Sequence, residues 1–374
     1  MVVIIMGGSI ALCFSAPQEE EAEFSITGEV IGLSSYNQPK LDVDVSEVLS
    51  EDVPLGTLFR IETPTETFEN AVLIIGYKGM FMFDLFVNVE SDGKISVGCV
   101  GKLVEAEKGS SITLTKTGVS ERYKETPCYN KGQSDSREDY PSDAVFANFY
   151  EVTGGTIASG ILYRSYSPYY DQATQPRSYY VNKLAEEAGI AFDIALSYSD
   201  KTIADAISKY EGYCLDLCKE GKYIAPSMGY LYFQQKEKTV AVLESIIDND
   251  GPYLIHCNAG RDRTGFMVLL IQALCGCSVD EMKENEARAF QYLYGIETDS
   301  KEYRWVVECT YERNMYLIAN PDKIPDIFEI DWEHIDTSSV DTYSAAYSYC
   351  TDYLELTEDQ VDTLISKFTA AATV

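Results

Sequence analysis

Residues 251–265 read GPYLIHCNAGRDRTG. A short apolar run (251–256) meets Cys257, passes through a polar turn, and enters a second apolar run at Thr264 that continues to residue 274. The first run has the length of a strand and the second that of a helix, so the stretch predicts strand, tight loop, helix. A cysteine at a strand end facing a helix N-terminus lies in the positive end of the helix dipole. Such a setting lowers a thiol pKa from about 8.5 to roughly 3.5–7.5. The loop amides of Asn258, Ala259, Gly260, Arg261 and Asp262 are placed to surround an anion. Arg263 adds a planar fork that holds two phosphate oxygens at once. Gly260 permits a tight turn or a close backbone approach. Thr264 is placed to hydrogen-bond the thiolate, and His256, at the strand end, orients the loop from behind. A nucleophile ringed by phosphate donors suits one reaction class, transfer of a phosphoryl group to sulfur and then to water.

Outward from this stretch the pattern is mixed. Helical spacing is present at 181–187, 202–219, 236–248, 264–274 and 279–293, with 251–256 as a strand. Helices alternating with strands predict an α/β domain over residues 144–320. Upstream, residues 23–118 hold strand-like runs at 24–31, 58–61, 71–75, 80–89, 95–100 and 111–117, separated by turn signals. They predict a small β-rich domain, a barrel or a sandwich, with no cluster of chemistry. Residues 119–143 are polar and turn-rich and read as a linker. Residues 321–374 form an acidic helical extension, read as a solvated surface; from 320 on there are 12 acidic and 2 basic residues.

The segment HCNAGRDRTG matches the His-Cys-x5-Arg-Thr-Gly signature and resembles the cysteine-dependent protein tyrosine phosphatases. It is most similar to a bacterial branch whose loop reads Cys-x-x-Gly-Lys-Asp-Arg-Thr-Gly. Asn148-Phe149 and the GILYRS run of 160–165 look like that branch's entry segment, and 187–197 looks like one of its strands. The resemblance spans 144–297. It implies a central, mostly parallel sheet flanked by helices, no cofactor and no metal. It also implies Cys257 as nucleophile, Arg263 as phosphate ligand and Asp262 as general acid, with Asp193 and Asp200 as competing acids. Its partners would be phosphorylated proteins or peptides, or small phosphomonoesters. Arg261 as a second cation at the loop mouth would favour phosphoinositides or inositol phosphates, unless it only faces solvent. Three positions depart from the pattern: Tyr150 replaces an arginine, 195–199 replaces an acidic strand end, and Arg261 replaces a lysine. The first two motivate a second reading, a catalytically weak phosphate-binding module whose N-terminal domain supplies the function.

The whole chain sets outer bounds. Its 374 residues carry 29 basic and 60 acidic side chains, 29 − 60 = −31. That charge argues against nucleic acid and against anionic lipid surfaces as general partners. Residues 1–17 are apolar, uncharged in their side chains and too short to span a bilayer. They read as a signal peptide with cleavage after Ser15, although no Lys or Arg precedes the apolar run. Members of the resembling branch are often exported, so the expectation is an exported protein, with a lipoprotein through Cys13 as the lesser reading. Ten cysteines are too sparse for a disulfide scaffold, and most read as small buried hydrophobes. One or two disulfides stay open. With no Cys-x-x-Cys pair and two histidines, a zinc site of ordinary spacing is not expected.

Overall fold

The computed structural model describes residues 24–34, 37–75, 80–102, 104–120, 123, 134–171, 173–332 and 334–369. The signal-like 1–17, with Cys13, and the centre of the linker, with Cys128, lie outside the described residues.

The N-terminal half is a closed barrel of seven strands. These are β1 (Ser25–Leu33), β2 (Pro39–Asp44), β3 (Thr57–Glu62), β4 (Thr67–Ile75), β5 (Leu85–Val89), β6 (Lys94–Cys99) and β7 (Ser111–Val119). Their order is β1-β2-β6-β5-β4-β3-β7, with β7 returning to pair with β1. Closure removes the unpaired edges of an open sheet. Alternation sets the faces: Thr57, Phe59 and Ile61 of β3 point inward to meet Leu73, Val87, Ile95 and Leu114. Strand β2 has no counterpart in the sequence expectation.

One pair, β4 with β5, is parallel. Parallel neighbours cannot be joined by a tight hairpin. The expected strand at 80–89 is accordingly shortened to Leu85–Val89. Residues 81–83 turn away from the barrel, with Phe83 at a φ of 73°. Phe81, Met82 and Phe83 are buried in the core of the second half.

That second half is a mixed α/β unit around a five-stranded sheet. Its strands are β8 (Tyr150–Glu151), β9 (Leu162–Ser165), β10 (Phe192–Ala195), β11 (Tyr223–Ile224) and β12 (Tyr253–His256), in the order β11-β10-β12-β9-β8. All neighbours run parallel except β8 and β9. Strand β12 is central and buried on both faces: Ile255 joins one core, with Phe266 and Phe368, and Leu254 the other, with Val181 and Cys214. Register aligns Ser165, Ala195 and His256. The loops that follow these residues therefore emerge together at the carboxyl ends of the strands, where open α/β sheets bind ligands.

The helix expected at 202–219 divides into Asp200–Ile207 and Tyr213–Lys219. Gly212 marks the break, because a Cβ there would lie 2.6 Å from Asn182 Oδ1. In the acidic C-terminal stretch, the helix Glu358–Thr369 buries Val361, Leu364 and Phe368. Its acidic side chains face solvent on the other side, so this stretch both closes the core and forms a solvated surface. The eight described cysteines are buried and unbridged. Among the described residues no helix is long and apolar enough to cross a membrane.

Candidate active site

The loop 257–261 joins the buried end of β12 to the helix Asp262–Leu274. Donors outside it hold its carbonyls. Ser167 N donates to Asn258 O at 3.0 Å. Asn148 Nδ2 donates to Ala259 O at 3.0 Å, and Arg164 Nη2 to Gly260 O at 2.9 Å and Arg261 O at 3.3 Å. A peptide unit is planar, with its C=O and the following N–H pointing opposite ways. Carbonyls drawn outward at four successive residues therefore turn the amides of Ala259, Gly260, Arg261 and Asp262 toward the loop's centre. That is an anion cradle at a helix N-terminus. Gly260 makes it possible: its φ is 68°, and a Cβ would lie 2.0 Å from Ser165 O.

Cys257 sits at the base of the cradle, 2% exposed. Burial pushes its thiol up. The Arg263 guanidinium, the Thr264 hydroxyl and the Arg261 amide outweigh that push and a smaller one from Asp262, and leave the thiol below its ordinary 9.0. Thr264 Oγ1 is buried without a well-formed hydrogen bond, yet lies close enough to favour the thiolate. Burial wins at other thiols even where a donor is present: Cys275 is raised to about 12 despite the Thr156 hydroxyl. Cys257, held below its ordinary value, is thus prepared as a nucleophile.

Arg263 is nearly buried. Its Nη1 donates to Met228 O at 2.9 Å, and its guanidinium stands 5.3 Å over the ring of the exposed Tyr230. The charge of Cys257 helps raise the Tyr170 and Tyr198 phenols, after the larger effect of burial. The mouth is therefore aromatic.

Arg261 is not simply a solvent-facing cation. Its Nε lies 3.1 Å from Asp262 Oδ2, its Nη1 donates to Tyr294 Oη at 2.9 Å, and it stacks 5.1 Å over Phe290. Asp262 is partly exposed at the helix start, held by this pair. Neither competing acid is comparably placed. Asp193 is fully buried beneath the loop, bonded to Tyr169 Oη. Its Oδ1 lies 3.2 Å from His256 Nε2, but the angle leaves both atoms without a proper hydrogen bond. Asp200 begins an exposed helix and accepts from Tyr223 Oη at 3.0 Å. His256 is fully buried, and its Nδ1 lies 3.2 Å from Cys257 O, behind the loop.

The site includes residues to which the sequence reading gave no role. Arg164 is fully buried between the loop carbonyls and Glu286, with Nη1 3.5 Å from Oε1. Glu286 fits because Gly265 has no side chain; a Cβ there would lie 2.4 Å from Glu286 Oε2. Burial lifts the Glu286 carboxyl to about 7, against the pull of Arg164. Its signal in the sequence was an acidic residue on the apolar stripe of Met282, Phe290 and Leu293. Tyr150 supports the same arrangement: its ring lies 5.5 Å from the Arg164 guanidinium and its Oη donates to Asn285 O at 3.0 Å. The 195–199 stretch contributes Ser197, which donates to Asn258 Oδ1 at 2.8 Å.

Residues 218–370 match the tyrosine phosphatase family. The matched residues include the whole loop and the C-terminal helix, but not Asn148 or Arg164. A protein named tyrosine-protein phosphatase, from Nostoc commune, is 32% identical over 93 residues. That alignment covers 24% of this chain and 32% of the relative, so the chain spans about a third of the length of the curated protein it matches. An uncharacterized conserved protein of solved structure from Thermotoga maritima aligns at 15% identity with a TM-score of 0.22, over 24% of this chain and 35% of that one.

Proposed function

We propose that this protein is a metal-independent phosphatase that hydrolyses aryl phosphate monoesters through a phosphocysteine on Cys257. The observation that carries the reading is a thiol held below its ordinary pKa at the centre of inward-turned amides, beside Arg263. The family match over 218–370 supports a phosphoric monoester hydrolase. The Cys257 thiolate attacks phosphorus, forming the S–P bond as the P–O bond to the leaving group breaks. Asp262 gives its proton to the departing oxygen. Arg263 and the loop amides neutralise the charge on the transferring group. Water, losing its proton to Asp262, then attacks phosphorus, and the thiolate leaves with the help of Thr264.

The substrate follows from the mouth. Tyr170, Tyr198 and Tyr230 suit a flat aromatic phosphate such as phosphotyrosine. Arg261 is engaged by Asp262, Tyr294 and Phe290, which disfavours the reading of a second phosphate site and with it inositol phosphates. The binding-only reading is disfavoured, because Ser197 holds Asn258 and Tyr150 packs on Arg164, which holds the loop carbonyls. We place the enzyme outside the cytoplasm on the strength of residues 1–17; N-terminal sequencing of the mature protein should then begin after Ser15.

The test is hydrolysis of an aryl phosphate and of phosphotyrosine peptides beside an inositol phosphate series. Vanadate-sensitive turnover is expected with the aromatic esters, and none with Cys257→Ser. Faster turnover of inositol phosphates would replace the substrate assignment. Equal turnover by Cys257→Ser would overturn the mechanism.

A further inference from the structure

A second cavity lies away from the cysteine loop, in the cleft between the barrel and the α/β unit, with a volume of about 800 Å³. That is within the range of small-molecule sites, roughly 300–1,000 Å³. Its walls are aromatic: Phe68 from the barrel, Phe83 from the crossover, and Trp305, Phe328 and Trp332 from the α/β unit. The rings are ordered against one another, with Phe83 stacked on Trp332 at 5.3 Å and edge-on to Phe328 at 5.9 Å.

The charge of the lining is one-sided. It holds Glu69, Asp84, Glu308, Glu312, Glu329 and Asp331 against one basic residue, Arg313, among the described lining residues, with Lys283 3.8 Å from Glu312 just outside. Arg313 is committed to the domain contact, with Nη2 2.9 Å from Asp84 Oδ1 and Nη1 bonded to Met82 O. A phosphate ligand is therefore disfavoured here, in contrast to the cysteine loop.

The chain already places cations on these rings. The Arg313 guanidinium lies 5.3 Å over Trp332. Lys102 Nζ lies 5.0 Å over Phe68 and 5.1 Å over Phe328. Ring faces attract cations, and desolvation strengthens the attraction. The backbone is shaped locally as well. The helix Lys301–Val307 passes into a π-helical turn, Glu308–Glu312, before continuing as Arg313–Ala319. That turn supplies Glu308 and Glu312 to the cleft, and π-helical turns concentrate at functional sites.

We propose that this cleft binds a small organic cation, an alkylammonium compound held between its aromatic wall and the carboxylates at its rim. The inference stands apart from the phosphatase reading and does not need turnover to test it. The chain has two tryptophans, Trp305 and Trp332, and both line the cleft. Intrinsic tryptophan fluorescence of the full chain therefore reports this site directly. The probe is choline, compared at constant ionic strength with 3,3-dimethylbutan-1-ol, which has the same shape without the charge. A saturable fluorescence change is expected with choline, at least about fivefold tighter than with the neutral alcohol. The double variant Glu312→Gln/Glu329→Gln should weaken it severalfold while leaving the unliganded emission spectrum unchanged. No saturable change, an equal response to the alcohol, or unchanged affinity in the double variant would overturn the proposal.

Discussion

Cys257 is buried in surroundings that by themselves oppose a thiolate, so its reactivity rests on Arg263, Thr264 and the Arg261 amide. The thiolate is the deprotonated form, so alkylation by iodoacetamide should rise with pH through the Cys257 pKa. Because that pKa is lowered, the rise belongs below the ordinary 9.0. Thr264→Val removes one of the groups that lower it, and should move the rise upward by up to about one pH unit, the ceiling set by roughly 1.5 kcal/mol for a full hydrogen bond to a charge. An unmoved curve would mean that the hydroxyl acts only later, when the thiolate leaves. Arg263→Lys keeps the charge but loses the planar fork. Its kcat should fall about 10²–10³-fold, the usual loss when one preorganised donor to the reacting group is removed. Steady-state kinetics on an aryl phosphate checks this.

The elements matter through what they fix in the loop. The β9 residue Arg164 is pinned by Glu286 from the helix Val279–Tyr294, and the pair grips two loop carbonyls from behind. Glu286 has a folded pKa of about 7 against an ordinary 4.5. A carboxyl whose folded pKa is raised binds more protons in the folded state across that window. Its contribution to stability is therefore full below pH 4.5 and is lost as pH rises toward 7. Urea denaturation of Glu286→Gln across this range should show a flatter pH dependence than the parent chain; the same slope in both would place the titration elsewhere. The loop itself was legible in the sequence, because six fixed residue types between a strand and a helix leave few alternatives. Its supports were harder to read. Arg164 and Glu286 are 122 residues apart, and their meeting depends on β9 lying beside β12, which no local pattern encodes. The expected strand at 80–89 ran too long for a similar reason. Its apolar residues satisfy two different cores, Val87 the barrel's and Phe81 and Phe83 the α/β unit's. Alternation cannot tell those destinations apart.

On the scale of the molecule, the barrel is joined to the α/β unit by more than the linker. The crossover that β4 and β5 require carries Phe81, Met82 and Phe83 into the neighbouring core, and Asp84 meets Arg313 there with both side chains almost fully buried. A small interior gap is bordered at once by Phe83, Arg313, Asp262 and Glu286, so the barrel's crossover reaches the back of the cysteine loop. Shared core and buried charge together argue that the two halves unfold as one unit. Two domains held only by a polar interface would melt separately. Calorimetry of the full chain should therefore give one transition. Arg313→Met should change this. It strips Asp84 of its partner and Met82 O of a donor while keeping most of the apolar volume, and breaking a buried pair from one side costs about 3–5 kcal/mol. Most of that loss falls on the contact between the halves rather than within either core. The expected thermogram of the variant has two resolved transitions, the lower one accompanied by loss of turnover if the crossover steadies the loop. A single transition that merely shifts downward would show that the shared aromatic core, without the Arg313–Asp84 pair, is enough to hold the halves together.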